Sequence, residues 1–266
     1  MEMEFKFKKF LFNGELISET EFKDYYEYHK KNVYEVIRII NSKILFLNDH
    51  ISRLSNSILL MYGNKINLDD LIPNIEKVIQ ENEIFNGNIK IEFIFKDDKV
   101  NIYIYPISFY YPDTRFGVTS VTLNIERDNP YIKSYNYSLK KKMEKSIEDN
   151  GVYEVLLVNK DGLITEGSRS NIYFIKDDSF FTAPIHMVLN GVTRINVNKI
   201  IRNLGFNLFE NAVHVDDIDK FDACFLTSTS SNVLSINRIN DIQINSSENK
   251  YLNMVSSSFE KYLKKI

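Results

Sequence analysis

The 266-residue chain has one cysteine, no tryptophan, five prolines and nine glycines. A single thiol cannot close an internal disulfide, and Cys224 lies in the apolar run Ala223-Cys224-Phe225-Leu226, which marks it as a small core residue. No stretch reaches the roughly eighteen apolar residues that a membrane-spanning helix needs. The opening residues, Met-Glu-Met-Glu-Phe-Lys, carry no apolar secretory segment, so a cytoplasmic protein without membrane attachment is expected. An excess of positive charge is also missing: 33 basic residues face 36 acidic ones, for a net charge of −3, with both signs interleaved. Nucleic-acid binding would need a basic patch and is excluded as a main function. The longest lysine run, Lys140-Lys141-Lys142, lies near Glu144 and Glu148 and reads as a solvated helix face. No metal centre, repeat or low-complexity tract is expected.

What is present is an ordinary globular composition, 44% hydrophobic and 26% charged, long enough for one large domain or two modest ones. Residues 5–17 alternate around Asn13-Gly14, a two-residue hairpin signal. Residues 33–40 read as a strand that turns at Asn41-Ser42-Lys43 into Ile44-Leu45-Phe46-Leu47. Asn48 or Asp49 is expected to cap a helix with Ile51, Leu54, Ile58 and Met61 on one face, closed by Gly63. A second helix follows Asn67, its start limited by Pro73. Strands at 89–95 and 99–105 turn at Asp97-Asp98. Residues 106–116 hold prolines on both sides of an aromatic patch and are the linker candidate. Beyond them come a strand at 117–125, a helix ending at Asn150-Gly151, and hairpins at Lys160-Asp161-Gly162 and Asp177-Asp178. A helix from Thr193 to Leu204 is closed by Gly205. A strand at 222–228, another after Asn232 and a helix from about 247 complete the pattern. The expected division is a small α+β domain over 1–110, a linker at 111–117 and a larger domain over 118–266.

Four short stretches carry candidate chemistry. Tyr131-Ile132-Lys133-Ser134-Tyr135-Asn136-Tyr137 holds a lysine among apolar and aromatic neighbours. Such surroundings suit an amine that must lose its proton to attack a carbonyl, although taken alone it is one surface lysine among many. Glu166, in Thr165-Glu166-Gly167-Ser168, follows Leu163-Ile164 and could be turned inward to face the ring nitrogen of a bound pyridoxal phosphate. Its plainer reading is a hairpin surface residue. Gly191-Val192-Thr193-Arg194 opens a helix, where backbone N–H groups suit a phosphate, and Thr227-Ser228-Thr229-Ser230 offers hydroxyls at a strand end. Ordinary capping would explain both. Arg53 could add a forked contact to the same anion or serve a salt bridge. The four stretches together supply an amine, a carboxylate and an anion cradle for a phosphorylated aldehyde.

On these residues the chain resembles the class IV aminotransferases, pyridoxal-phosphate enzymes of fold type IV. The likeness extends to Asn13-Gly14, Val33–Arg38, His50-Ile51-Ser52-Arg53-Leu54, Ile132–Tyr137, Thr165–Asn171, Leu189–Arg194 and Thr227–Val233. The resemblance implies an α+β or α/β architecture with a barrel-like sheet in the larger domain, the cofactor between the domains, and a homodimer. It implies Lys133 as Schiff-base lysine and proton shuttle, and Glu166 as partner of the pyridine nitrogen. Arg53, Val192, Thr193 and Thr229 would hold the phosphate. Tyr137 would bond the phenolic oxygen and Leu189 would pack on the ring. Tyr34 would face the substrate and Ser230 would offer its N–H to the substrate carboxylate.

Two departures bear on substrate. The Asp-Arg-Gly…Gly-Asp-Gly stretch that family members carry before the strand at 33–38 is replaced by Asp24-Tyr25-Tyr26-Glu27-Tyr28-His29-Lys30-Lys31-Asn32. The arginine- and histidine-containing carboxylate trap of the D-amino-acid enzymes is replaced by Phe93-Ile94-Phe95-Lys96-Asp97-Asp98. The aromatics Tyr26, Tyr28, Phe109, Tyr110 and Tyr111 are expected to cover the domain interface rather than line a pocket. The favoured expectation is transfer of an amino group between a small or branched-chain amino acid and a 2-keto acid such as 2-oxoglutarate. The alternatives are a lyase that releases pyruvate, and a binding protein on the same fold that does not catalyse.

Overall fold

The computed structural model describes residues 7–27, 32–96, 99–108, 112–113 and 116–265. The expected turn at Asp97-Asp98 and the aromatics Tyr28, Phe109, Tyr110 and Tyr111 lie outside the described residues, as do His29, Lys30 and Lys31. The chain divides into two units: residues 1–110 with 132–137, and residues 111–131 with 138–266. The segment around Lys133 therefore packs with the first unit although its neighbours on both sides belong to the second.

The first unit is built on a six-stranded antiparallel sheet. Its strands are β1 (Lys9–Phe12), β2 (Glu15–Ser18), β3 (Asn32–Ile40), β4 (Lys43–Ile44), β5 (Gly87–Lys96) and β6 (Lys99–Ile107), in the order β2-β1-β6-β5-β3-β4. Asn13 (φ 49) and Gly14 (φ 90) make the turn between β1 and β2, the left-handed pair that suits a right-twisted hairpin. Because strand side chains alternate, Val33, Ile37, Ile39, Ile89, Ile91, Phe93 and Ile104 share one face. Two helices cover it, α2 (Leu47–Tyr62) through Leu54 and Ile58, and α3 (Leu71–Glu81) through Leu71, Ile75 and Val78. The opposite face carries Tyr34, Lys90, Glu92, Tyr103 and Tyr105, with an aromatic cluster from Phe7, Phe10 and Phe22. Phe22 starts the short helix α1 (Phe22–Tyr25). Tyr26 stacks on Phe22 at 4.8 Å.

The start of α2 departs from expectation. Its N-cap is Phe46, in the left-handed region (φ 51) and without a side-chain cap, so Asn48 and Asp49 lie inside the first turn. The run at 44–47 is therefore not a strand: pairing stops at Ile44 and the chain turns into the helix to bury Leu54 and Ile58. Gly63 (φ 75) ends the helix as expected.

The second unit contains a ten-stranded sheet, six of whose strands close a barrel. The barrel strands are β7 (Val118–Asn124), β8 (Glu154–Val158), β9 (Leu163–Gly167), β10 (Asn171–Lys176), β14 (Ala223–Ser228) and β15 (Asn232–Ile239). They run in the order β10-β14-β15-β7-β8-β9, and the pairing of Glu166 with Asn171 closes the ring. The pairs β15–β7 and β7–β8 are parallel, and α4 (Tyr137–Asn150) lies on the connection between β7 and β8. Strands β11 (Ser179–Phe181), β12 (Asn207–Phe209), β13 (Val213–His214) and β16 (Ile242–Gln243) extend the sheet. Leu156, Val158, Ile164, Ile172, Phe174, Leu226, Leu234 and Ile236 form one apolar core. Cys224 belongs to it, and burial pushes its thiol up to about 12.

Helices α5 (Val192–Asn203) and α6 (Lys250–Leu263) complete the unit. The last begins later than the pattern near 247 suggested. A 3-10 turn over Ser246–Glu248 comes first, and Asn249 caps the helix by accepting from the N–H groups of Tyr251 and Leu252, both at 3.0 Å. Among the described residues no helix is long and apolar enough to cross a membrane, and no group of three or more His, Cys, Asp or Glu could hold a metal.

Ile91, fully buried at the centre of the first sheet, tests this packing. Ile91→Ala should cost about 2–5 kcal/mol through lost burial and a residual cavity, read as a lower urea midpoint.

Candidate active site

Lys133 is held by the edge of β3. The N–H of Tyr34 donates to the Lys133 carbonyl at 3.0 Å, and the N–H of Tyr135 donates to the Asn32 carbonyl at 3.1 Å. Ser134 bridges to Val33. The Lys133 N–H donates to Oγ of Ser57, which is buried on α2, at 3.2 Å. Ile132 enters the core beneath the sheet. With backbone and preceding side chain fixed, the Lys133 amine lies 4.8 Å from the centroid of the Tyr34 ring. Lys90 lies 5.3 Å from the same centroid and bonds Glu92 at 2.7 Å. Glu92, fully buried, also accepts from Tyr26 Oη, Tyr105 Oη and Asn32 Nδ2 at 2.5–2.9 Å. Tyr26 and Asn32 come from the stretch where the family glycines are missing, so part of that stretch serves a buried carboxylate.

Arg53 projects from α2 to a second buried carboxylate. Its Nε and Nη2 bond the two oxygens of Glu35, both at 2.7 Å, and His50 Nδ1 donates to Glu35 Oε2 at 2.8 Å. Burial pushes the Glu35 carboxyl up, but the Arg53 guanidinium and His50 outweigh it and hold the group well below the usual carboxylate range. His50 is pushed down by burial against the opposing pull of Glu35, with Arg53 and Lys133 adding to the depression. Because an ionised Glu35 can only accept, His50 Nδ1 is the ring nitrogen that carries a proton toward it. The Arg53–Glu35 fork fixes a guanidinium that would otherwise move freely. Tyr137 is the first residue of α4 and is exposed.

In the second unit, Glu166 is 3% exposed, so it is not a surface hairpin residue. Its Oε1 accepts from Arg127 Nη1 at 2.8 Å and its Oε2 from the Leu189 N–H at 3.1 Å. The turn behind it is clamped by Glu154, fully buried on β8, which accepts from the Ser168 N–H at 3.1 Å, from Ser168 Oγ, and from Ser170 Oγ at 2.9 Å. Gly167 is required there, because a Cβ would stand 2.2 Å from Ser170 Oγ. A cavity of about 250 Å³ lined by Arg127, Thr165, Glu166 and His186 opens beside the ion pair.

Gly191 is the N-cap of α5. A Cβ on it would lie 2.2 Å from Asn171 Oδ1, so the helix N-terminus is left bare, with the N–H groups of Val192 and Thr193 in its first turn. Both residues are buried. Arg194 is also buried and serves structure, donating to Thr182 Oγ1 and the Ala183 carbonyl. Thr229 and Ser230 form the turn between β14 and β15, braced by a 2.7 Å bond between Ser228 Oγ and Ser231 Oγ. Lys133, Arg53, Tyr34 and Tyr137 thus belong to the first unit, and Glu166, Leu189, Val192, Thr193, Thr229 and Ser230 to the second.

Five residues of these networks were given no role from the sequence: Glu35, Glu92, Arg127, Glu154 and Asn171, although Glu35 and Asn171 lie inside stretches that carry the resemblance. Glu35 had a visible signal. It occupies a core-facing position in the alternation Val33, Glu35, Ile37, Ile39, where a carboxylate demands a partner, and His50 and Arg53 stand three apart on the next helix. Glu154 opens an otherwise apolar run, a weaker version of the same signal. Arg127 lies far from Glu166 in sequence and had none.

The buried fork makes a pH prediction. A carboxyl whose pKa is depressed on folding contributes stability above its unfolded value, about 4.3, and loses that contribution as pH falls toward the folded value. Glu35→Gln should cost about 3–5 kcal/mol at pH 7 by leaving Arg53 without its charge partner. Urea titrations should show the gap between wild type and variant closing as pH drops below about 4.3.

The comparisons with known proteins bear on these two sets of residues. Residues 32–239 match the family model described as amino-transferase class IV. The D-alanine aminotransferase of Bacillus licheniformis is 28% identical over 262 residues, covering 90% of each chain. A probable branched-chain-amino-acid aminotransferase of Rickettsia conorii is 28% identical over 236 residues, covering 80% of this chain and 79% of its own. Among solved structures, the branched-chain amino acid aminotransferase of Escherichia coli superposes with a TM-score of 0.84 at 20% identity, over 96% of this chain and 94% of that one. The last likeness shows the fold, two sheets with a closed barrel. The family match spans every candidate residue from Tyr34 to Ser230, and the chain belongs to the class IV aminotransferases, a family of enzymes that transfer amino groups.

Proposed function

We propose that the enzyme uses pyridoxal 5'-phosphate to move an amino group between a small or branched-chain amino acid and a 2-keto acid. The observation that carries this reading is the family match over 32–239, within which Lys133, Glu166, Arg53 and the bare N-terminus of α5 all fall. The residues suit the cofactor chemically. Gly191 keeps two amides open at a helix N-terminus, Thr227 Oγ1 is buried without a partner among the described residues, and Glu166 is a buried carboxylate held by a cation.

Arg53, the N–H groups of Val192 and Thr193, and Thr229 would hold the phosphate. Glu166 would accept a hydrogen bond from the protonated ring nitrogen. Its bonds to Arg127 and the Leu189 N–H support this role, because they fix the direction of the carboxylate. When bound, pyridoxal phosphate supplies an electron sink for charge at the substrate α-carbon. Lys133 would join the cofactor carbonyl with loss of water and, once a substrate amine displaced it, its freed amine would carry the proton from the α-carbon to C4′. Tyr137 would bond the phenolic oxygen and Leu189 would pack against the ring. Tyr34 would face the substrate and Ser230 would offer its N–H to the substrate carboxylate.

The substrate preference draws on the relatives, which include a D-alanine and a branched-chain enzyme, and on the packing of the replaced carboxylate trap. Phe93 is fully buried, Phe95 stacks on Tyr62 at 3.5 Å, and Lys96 pairs with Glu27 at 3.4 Å. Three of those positions are thus committed to the first unit's own structure, which favours a branched-chain or small L-amino acid over a D-amino acid. The family resemblance further supports a cytoplasmic homodimer with 2-oxoglutarate as acceptor.

A visible absorption spectrum of the purified protein tests the reading. A band that L-leucine or L-glutamate bleaches is expected, with Lys133→Ala removing it and slowing amino transfer by about 10²–10⁴-fold, the contribution of one positioned acid–base group. No band after incubation with pyridoxal phosphate would sink the reading and leave a protein that binds without catalysing. Pyruvate release without a keto-acid acceptor would instead mark a lyase.

A further inference from the structure

Thr227 is 1% exposed, and its Oγ1 has no hydrogen-bond partner among the described residues. The two buried threonines nearest in kind do not share this state. Thr165 Oγ1 donates to the Leu157 carbonyl at 3.1 Å and Thr182 Oγ1 to the Ile172 carbonyl at 2.7 Å. A buried hydroxyl without a partner is costly and uncommon, so its surroundings bear on what it serves.

The register of the barrel fixes those surroundings. Asn171 stands directly opposite Thr227 on one side and Glu166 on the other. Directly opposed residues in an antiparallel pair point to the same face. Two positions along, Tyr173 and Phe225 are opposed in the same way, stack at 4.8 Å, and face α5, where Tyr173 Oη donates to Asn198 Oδ1 at 2.6 Å. Asn171 lies on that face as well: its Nδ2 donates to the Leu189 carbonyl at 2.8 Å, and its Oδ1 occupies the space a Gly191 Cβ would need. Thr227 therefore points to the side on which α5 begins. One strand away stands the Asn171 that packs against its N-cap, and two residues on is Thr229. The open amides of α5 and the unpartnered hydroxyl thus lie on one face of the second unit, with Asn171 next to both.

We propose that Thr227 Oγ1 is a further phosphate-end ligand of the cofactor, donating to an anionic oxygen that the N-terminus of α5 also receives. This rests on the cofactor reading above. The hydroxyl is kept unpaired by the protein so that its single donor is available to the ligand, and a β-branched threonine fixes its direction through one restricted torsion.

Thr227→Val keeps the shape and removes the donor, while Thr227→Ser keeps the donor. Equilibrium titration of the cofactor-free full-length protein with pyridoxal phosphate should show the dissociation constant rising about tenfold in Thr227→Val, the loss of one bond to a charged oxygen. Thr227→Ser should stay within about twofold of wild type, and thermal melting of cofactor-free Thr227→Val should be no lower than wild type. Titration with unphosphorylated pyridoxal should not distinguish wild type from Thr227→Val. Wild-type and Thr227→Val proteins that bind pyridoxal phosphate equally would overturn the proposal, as would a lowered melting temperature of cofactor-free Thr227→Val. An equal loss toward pyridoxal would overturn the phosphate assignment. A wild type that binds no pyridoxal phosphate would instead remove the cofactor reading itself.

Discussion

A carboxylate taken out of water must be given donors or it will not stay ionised, and both units are organised by that requirement. Glu35, Glu92, Glu154 and Glu166 are all essentially buried. Each is answered by a different set of groups: a guanidinium fork and an imidazole for Glu35, a lysine with two tyrosines and an asparagine for Glu92, a serine turn for Glu154, an arginine and a backbone amide for Glu166. The apolar cores could form around many arrangements of loops. These four carboxylates select one arrangement, because each is paired with donors brought to it from another element.

The candidate residues gain their order from this second rank of groups. Arg53 can present a guanidinium edge because Glu35 grips two of its nitrogens. Glu166 emerges at a fixed angle because Glu154 ties down the turn that follows it. The start of α5 stays open because Asn171 fills the volume beside a glycine. Directional groups placed by packing do not have to be reorganised when a charged ligand arrives, which is where a preformed polar site gains over a flexible one.

Much of this was legible in the residues themselves. The Asn13-Gly14 hairpin, the α2 face of Leu54 and Ile58, the turns at Gly162 and Asp177, and the glycine ahead of Val192 all follow from local rules, because each is decided within a few residues. The α2 cap was misread because the choice of Phe46 over Asn48 is made by how the helix must lie on the sheet, which overrides a good capping side chain. The roles of Arg127 and Asn171 could not be read for a related reason: their partners lie 39 and 18 residues away, at contacts that no periodicity announces. The membership of 132–137 in the first unit had the same origin, since it depends on an edge of β3 left open to receive it.

That last arrangement has a bearing on how the protein can be made. A ribosome that has finished residue 110 has not yet supplied Ile132 to the core under β3, nor the strand segment that covers the strand's edge. The first unit is thus completed by a segment that arrives only after 21 further residues of the other have been synthesised. An amino-terminal fragment cut at the unit boundary would carry an unpaired strand edge and lack the lysine altogether, which is the kind of surface that invites pairing with other chains. Autonomy of folding and possession of Lys133 are therefore inseparable here, and a gene fusion or split placed between the units would sever both at once.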